Sequence, residues 1–578
     1  MEVPFVDIFA GPGGLSEGFS RFASFSKSDL EFVSRLAIEK DEIAVETLRL
    51  RSFYRQFRVD PVPMSYYRVL QHEAPISSLH SLPEWKAAEE HVWQAELGLV
   101  DEKTLHEKLA SKLADTPMWV LLGGPPCQAY SLMGRARMTG TGKEGRDASD
   151  DEAFDALKRK ITDKFLEDKR HFLYQEYLRI VAVHQPNIFV MENVMGILSA
   201  VLPEKESSQT QEMLARPKRR RAFDQIKRDL ADPWSALAAD PKADVLAEFH
   251  TGVKHTYRLH SFVVAREMED VEVADRDYLI KAELYGVPQK RHRVIILGIR
   301  DDVKAKPGVL TKTKATSVED TIGDLPKLRS GLSRGDTDHE HWRTVIEETH
   351  NALFAGSKSP LSKQIIQLTH MDMDLGRGSP FVSIEAKTQQ PQTDDLQNTP
   401  EPSKAGKLAL TTWLHDPRLN GVLHHESRSH MPSDLVRYLY VASNTDRTGL
   451  SPKITNWPPE LLPDHKNVSF EDKTKLVTSQ GFNDRFKAQA LGRPSSTVTS
   501  HIAKDGHFFI HPDPMQCRSL TVREAARLQT FPDNYFFCGN RTQRYHQIGN
   551  AVPPYLAVQL AEVVANLILK EVGDKESK

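Results

Sequence analysis

Asp7-Ile-Phe-Ala-Gly11-Pro-Gly13-Gly14-Leu15 closes an apolar run, Val3 to Phe9, and leads into a helix-like stretch from about Leu15. That order predicts a buried strand, a glycine turn and a helix start, because glycine accepts left-handed backbone and lets the chain approach a ligand closely. Further apolar runs, Phe32 to Ile38, Trp119 to Leu122, Ile188 to Met191 and Val294 to Ile299, are separated by helix-like stretches. Short apolar strands in this rhythm predict an α/β domain with a mainly parallel sheet. Ligands of such sheets sit beyond the carboxyl ends of the strands, where Gly11, Glu39, Cys127 and Glu192 all fall. Glu39 lies 25 residues beyond Gly14, near the spacing at which an acid meets ribose hydroxyls. A nicotinamide nucleotide, a flavin or S-adenosylmethionine each suits this turn, and so does a turn that is merely tight.

The 578 residues carry 76 Lys+Arg against 79 Asp+Glu, a formal net charge of −3. This excludes binding of nucleic acid through bulk positive charge but leaves room for a local basic groove. The three cysteines, Cys127, Cys517 and Cys538, include no CxxC pair and cannot form a disulfide framework. A reducing, cytoplasmic setting is expected. The N-terminus has no basic n-region, and no apolar run approaches the ~18 residues of a membrane span, so no membrane partner is expected.

Three segments are expected: a catalytic portion over 1–300, a smaller irregular domain over 301–490, and a return to the first domain over 491–578. In 301–490 the strand–helix rhythm disappears. Polar insertions are expected near 134–151 and 203–222, with a disordered, Gln/Thr/Pro-rich loop at 386–407. Regular signals return with a helix after Thr521, where Glu524 sits at capping-box spacing. A last helix follows Pro553-Pro554.

Cys127, in Gly123-Gly-Pro-Pro-Cys127-Gln128, stands on a stiff turn at the mouth of the sheet. A thiol there is a strong nucleophile if a neighbour stabilises its thiolate; a lone cysteine can equally be an inert core residue. A zinc deaminase would need Cys at position 130, which is Tyr. Glu192, in Met191-Glu-Asn-Val194, can cap a helix, or stay protonated and donate to a ring nitrogen. Strict alternation in Gln289-Lys-Arg291-His-Arg293 would put Gln289, Arg291 and Arg293 on one face, suited to phosphate or to an oxygen gaining charge. His425 and His430 are five residues apart, not the HExxH spacing, and no metal is expected.

Together these stretches resemble the DNA (cytosine-5) methyltransferases of the bacterial restriction-modification type. DIFAGPGGLSEGF is similar to the family's first motif, GGPPCQAYS to its nucleophile motif, MENV to its Glu-Asn-Val motif and QKRHR to its Gln-x-Arg-x-Arg motif. RSLTVREAARLQTFPD resembles the ninth motif and QIGNAVPP the tenth, in the family's order. The resemblance implies a Rossmann-like, S-adenosyl-L-methionine-dependent methyltransferase domain with a target-recognition domain at 301–490. It implies methyl transfer to C5 of a cytosine flipped out of DNA, through a covalent adduct of Cys127 with C6.

By the same resemblance Cys127, Glu192, Arg291 and Arg293 are catalytic. Phe9, Gly11, Gly13, Gly14, Glu39, Pro126, Asn550 and Val552 hold the cofactor, and Gln128, Ser131, Gln289, Arg485 and Arg493 meet the nucleic acid. Two departures concern adenine. The region Ala74-Pro-Ile76-Ser lacks the Asp usual in the third motif, and Lys40 replaces an aromatic after the ribose-binding acid. Basic excess is local: residues 480–530 hold seven Lys/Arg against four Asp/Glu, and 216–228 seven against one. The expected partner is double-stranded DNA, met by a monomer, with or without a cognate restriction endonuclease as a separate protein. An RNA cytosine-5 methyltransferase and a catalytically silent DNA-binding regulator remain as alternatives.

Overall fold

A computed structural model describes residues 1–57, 61–114, 116–126, 172–200, 221–250, 252–265, 273–371, 374–384, 409–463, 468–471, 475–478, 485–504 and 506–576. Cys127, Gln128 and Ser131, the expected insertion at 134–151, most of that at 203–222 and the expected loop 386–407 lie outside these residues.

The chain runs β1 (Glu2–Ile8), α1 (Gly14–Ser20), β2 (Glu31–Glu39), α2 (Glu42–Arg55), β3 (Val92–Gln94) and β4 (Val120–Gly123). It continues with α3 (Phe172–His184), β5 (Ile188–Val194), β6 (Tyr257–Ser261), β7 (Leu279–Lys281), β8 (Gln289–Lys290) and β9 (His292–Arg300). The central eight-stranded sheet has the order β3-β2-β1-β4-β5-β9-β6, with β7 also pairing to β9. β3, β2, β1, β4 and β5 pair in parallel. β9 is antiparallel to β5, β6 and β7, and so is the one reversed strand of this sheet.

Both faces are buried, which explains the near-continuous apolar strands. Alternation feeds two cores: Val3, Phe5, Ile188, Val190 and Leu297 enter one, and Val6, Ile8, Phe189, Met191 and Ile296 the other. Among the buried residues of β1 Asp7 alone is charged, at 1% exposure.

Beyond the sheet come α4 (His339–Leu353), α5 (Ser362–Thr369), α6 (Pro432–Thr448), α7 (Val522–Leu528), α8 (Arg541–Asn550) and α9 (Pro554–Glu576). The capping box expected at Thr521 and Glu524 is present at the start of α7. α9 returns to the first core beside α1. The segment Arg541–Asp574 contains a window apolar enough to cross a bilayer, and 78% of that window is buried inside the protein; its apolarity serves this core.

A second, helical core joins α4, α5 and α6 through Trp342, Ile365 and Leu439, with Phe486 and Ile510. Its edges differ from the expected boundaries at 301 and 490. Val318, Ile322 and Val422 pack with α7, Leu419 and Leu423 pack beside α2, and Trp413 enters the sheet core.

Candidate active site

Directly after β1, Phe9, Gly11 and Gly13 adopt positive φ of 57°, 56° and 87°. The turn is fixed from outside: the Gly11 N–H donates to Glu39 Oε2 at 2.8 Å, and the Ala10 N–H to Ile38 O at 3.1 Å. Glu39 Oε1 accepts from the N–H groups of Lys40 and Asp41, each at 2.9 Å. A Cβ added at Gly11 would meet nothing within 4 Å, so this stretch of backbone lies open to a cavity of about 490 Å³. That size is ordinary for a site binding a small organic molecule.

The cavity gathers Phe9, Gly11, Gly14, Glu39, Pro126, Asn550 and Val552, seven of the eight expected cofactor residues. Gly13 is the correction. It caps α1 in the left-handed region, and a Cβ there would lie 2.7 Å from Leu48 and 3.3 Å from the Tyr535 hydroxyl. Its lack of a side chain admits packing behind the turn and presents no surface to the cavity.

Glu192 ends β5 and Arg293 starts β9. The antiparallel register sets Val194 opposite Arg293, and Arg293 Nε stands 2.8 Å from Glu192 Oε1. Both side chains line the same cavity as the glycine turn. Asn193, which also borders this cavity, donates from Nδ2 to Pro125 O at 3.2 Å, and its Oδ1 accepts from the Val194 N–H at 2.9 Å. It thereby ties the end of β5 to the two prolines that precede Cys127 in sequence.

Gln289 and Arg291 do share a face, both bonding the Val498 main chain, but that face meets packed protein, and of the three only Arg293 lines the cavity. The Arg291 N–H donates to Gln289 O at 3.0 Å, a turn that interrupts the extended chain between β8 and β9. Gln289 is fully buried, donating to Leu528 O at 2.8 Å and accepting from the Val498 N–H at 3.0 Å. Arg291, 1% exposed, donates to Val498 O at 2.9 Å and Gly549 O at 3.1 Å. Burial, and then the neighbouring Arg293, hold its guanidinium well below the usual range. Gln289 is therefore not a nucleic-acid contact and Arg291 not a reacting group. Both side chains tie this stretch to Val498, just past the strand Ser495–Ser496 that pairs in parallel with β8, and to Leu528 and Gly549.

The basic excess of 480–530 has a similar explanation. Arg518, Arg523 and Arg527 are at most 7% exposed. Arg518 holds Glu524, and Arg523 donates to the carbonyls of Leu423, Pro532 and Tyr535. Arg527 pairs with Asp533 and Asp324. Arg493 remains exposed and Arg485 is half-buried.

Ala74 to Ser77 are not among the residues that line the cavity. Ile76–Leu79 forms a short 3-10 turn whose apolar side chains pack beside α2. Instead β3 ends at the cavity, and Ala95, Glu96 and Leu97 form part of its wall. The Ala95 N–H donates to Glu39 O at 2.9 Å, and Lys40 Nζ lies 3.2 Å from Glu96 Oε1. The run Val-Trp-Gln is too short to announce a strand, so the acid after it carried no signal.

Beneath the turn, Ser16 donates to Asp7 Oδ2 at 2.5 Å. Burial pushes the Asp7 carboxyl up to about 6, and this hydrogen bond offsets part of that rise.

Residues 263–566, more than half of the chain, match the family model for C-5 cytosine-specific DNA methylases, and the chain belongs to that family. It is similar to the type II methyltransferase M.Bpa9945I of Bacillus paralicheniformis, 28% identical over 587 residues, covering 97% of this chain and 98% of that protein. The type II methyltransferase M.AgeI of Thalassovita gelatinovora is 24% identical, covering 97% of this chain and 98% of its own. The DNA (cytosine-5-)-methyltransferase M.ApeKI of Aeropyrum pernix is 24% identical, with 78% and 81% covered. The protein methylates C5 of cytosine in DNA and uses S-adenosyl-L-methionine.

Proposed function

We propose that the enzyme methylates one cytosine within a specific double-stranded DNA sequence, as the modification half of a type II restriction-modification system, with a cognate endonuclease as a separate protein. The observation that carries this reading is the shared cavity: the glycine turn and Glu39 on one side, the Glu192–Arg293 pair on the other, and Pro126 next to Cys127 in sequence. The cavity fits the cofactor, because two carboxylates, Glu39 and Glu96, flank an open stretch of backbone where ribose hydroxyls and an adenine amino group would find acceptors.

When bound, S-adenosyl-L-methionine supplies an electrophilic methyl group. Cys127 adds its thiolate to C6 of the flipped cytosine, which makes C5 nucleophilic; it leaves as thiolate once the C5 proton is removed. Glu192 holds N3 of the base, and Arg293 orients Glu192 from β9 and stands near O2. Phe9, Gly11, Gly14, Asn550 and Val552 enclose the methionine end, Glu39 takes the ribose, and Glu96 takes the adenine amino group in place of the acid expected at 74–77. Gln128, Ser131, Arg485 and Arg493 contact DNA. The helical core around α4 and α6 is the centre of the target-recognition domain, and the enzyme works as a cytoplasmic monomer.

Bisulfite sequencing of DNA from cells expressing the protein tests this reading. Full conversion resistance at one cytosine of a short repeated sequence, lost in Cys127→Ala, is expected. Resistance scattered over unrelated sequences, or confined to RNA, would overturn it.

A further inference from the structure

In the wall between the helical core and α7, the backbone of Gly376-Arg377 is pinned at two points. The Arg329 N–H donates to Gly376 O at 2.9 Å, and the Ser427 N–H to Arg377 O at 2.8 Å. The Arg377 side chain is 42% exposed, yet its head group is held: Nη1 lies 3.1 Å from Asp336 Oδ2, and Nη2 donates to Ser429 Oγ at 2.9 Å. Asp336 is only 9% exposed, and its other oxygen accepts from Arg329 Nη1 at 2.8 Å. Arg329 is buried, and also donates to Ser330 O at 2.9 Å. Gly331 leaves room for this: an added Cβ would sit 2.5 Å from both Arg377 Cζ and Ser429 Oγ.

An exposed arginine is ordinarily a mobile side chain with about 2 kcal/mol of rotamer entropy. Here a buried arginine holds a nearly buried carboxylate by a hydrogen bond; the carboxylate faces the exposed guanidinium at ion-pair distance, and Ser429 Oγ accepts a hydrogen bond from Nη2. A surface ion pair gains little stability from such support. A recognition group gains from it, because its ordering cost is met before the ligand arrives. Ser429 follows Arg428, whose guanidinium lies 5.4 Å from the Tyr545 ring of α8, and α8 lines the cavity with Gln543 and His546.

We propose that Arg377 is a specificity-determining residue, reading a guanine of the recognition sequence in the major groove, and that Asp336 and Arg329 are its positioning residues. The chemistry is that of a planar guanidinium with N–H groups still free, matched to the O6 and N7 acceptors of guanine. This rests on the DNA-methylating reading above.

The test is methylation of a library of DNA duplexes by wild type, Arg377→Gln and Asp336→Asn, with all sites read by bisulfite sequencing. Cofactor binding and the thermal midpoint are measured alongside. Wild type is expected to require guanine at one position. Arg377→Gln should lose that preference by roughly tenfold or more, at that position only. Asp336→Asn keeps Arg377 but loosens it, and should relax the same position to a smaller degree. Uniform slowing over all sequences would make Arg377 a phosphate contact and overturn the proposal, as would an unchanged site preference. If Arg377→Gln does not fold, the Asp336→Asn profile decides by the same two outcomes. A wild type that methylates no DNA would instead defeat the underlying functional reading.

Discussion

The Tyr535 hydroxyl donates to the carbonyl oxygen of Pro12, joining residues 523 positions apart. Pro12 belongs to the turn that lines the cavity, and Tyr535 follows the ninth-motif segment. Beside this bond, Arg51 of α2 grips Glu17 of α1 through Nε at 2.9 Å and donates to Asn534 Oδ1 at 3.0 Å. Burial alone would raise the Glu17 carboxyl; Arg51 and Arg55 outweigh it and hold the group well below the usual range. The turn that lines the cavity is thus clamped from behind by α2 together with Asn534 and Tyr535.

Tyr535→Phe removes the hydroxyl and leaves the ring packed against Phe531 and Phe537. One such hydrogen bond contributes about 1 kcal/mol. The KM for S-adenosyl-L-methionine should rise roughly fivefold with kcat nearly unchanged, in steady-state assays with saturating DNA. An equal fall in kcat would place Tyr535 in the chemical step instead.

Asp7 introduces a pH dependence of stability with a definite sign. Its carboxyl is raised in the folded protein to about 6 from 3.8, so folding favours the protonated form. The stability it contributes is complete below pH 4, declines as the pH rises, and is gone once the pH passes about 6. The effect is on the order of 3 kcal/mol at most. Thermal midpoints of Asp7→Asn and wild type, compared from pH 4 to 8, should diverge in favour of the variant as pH rises through that window. Parallel curves would contradict the assignment.

Arg291 and Arg293, two residues apart, should separate cleanly. Arg291→Met leaves the carbonyls of Val498 and Gly549 buried without donors and should cost roughly 2–4 kcal/mol in denaturant unfolding. Arg293→Gln removes the partner of Glu192 at the cavity and should lower kcat at least about tenfold, with little change in the unfolding midpoint.

Glu96→Ala should weaken cofactor binding by calorimetry about fivefold or more, on the order of 1 kcal/mol. Glu73→Ala, just before the Ala74–Ser77 segment that lacks the third-motif Asp, should leave it unchanged.

The sheet was legible because its strands bury both faces, so β1, β2, β4, β5 and β9 stand out as apolar runs. β3 has three residues and β6 reads Tyr-Arg-Leu-His-Ser, so neither shows a pattern. The helical core was hidden for a chemical reason. α4 buries His339, Trp342, Ile346 and His350, a helical spacing in which two of four positions are histidine, and α6 buries the Asp434–Arg437 pair. Hydrophobic periodicity cannot register polar residues at buried positions. The site was legible wherever a residue reaches the cavity from the end of a strand, as do Glu39, Glu192 and Arg293. Gln289 and Arg291 were misplaced because alternation tells which residues share a face, not whether that face meets a ligand or the packed segment around Val498.

The central claim is covalent catalysis by Cys127. Incubating the enzyme with DNA containing 5-fluorocytosine at its methylation site blocks removal of the C5 substituent and tests the claim directly. With S-adenosyl-L-methionine present, a denaturation-resistant protein–DNA adduct should form, and peptide mass spectrometry should place it on Cys127. Adduct formation that persists in Cys127→Ala, or a wild type that methylates the unmodified DNA yet never traps the fluorinated one, would contradict the account.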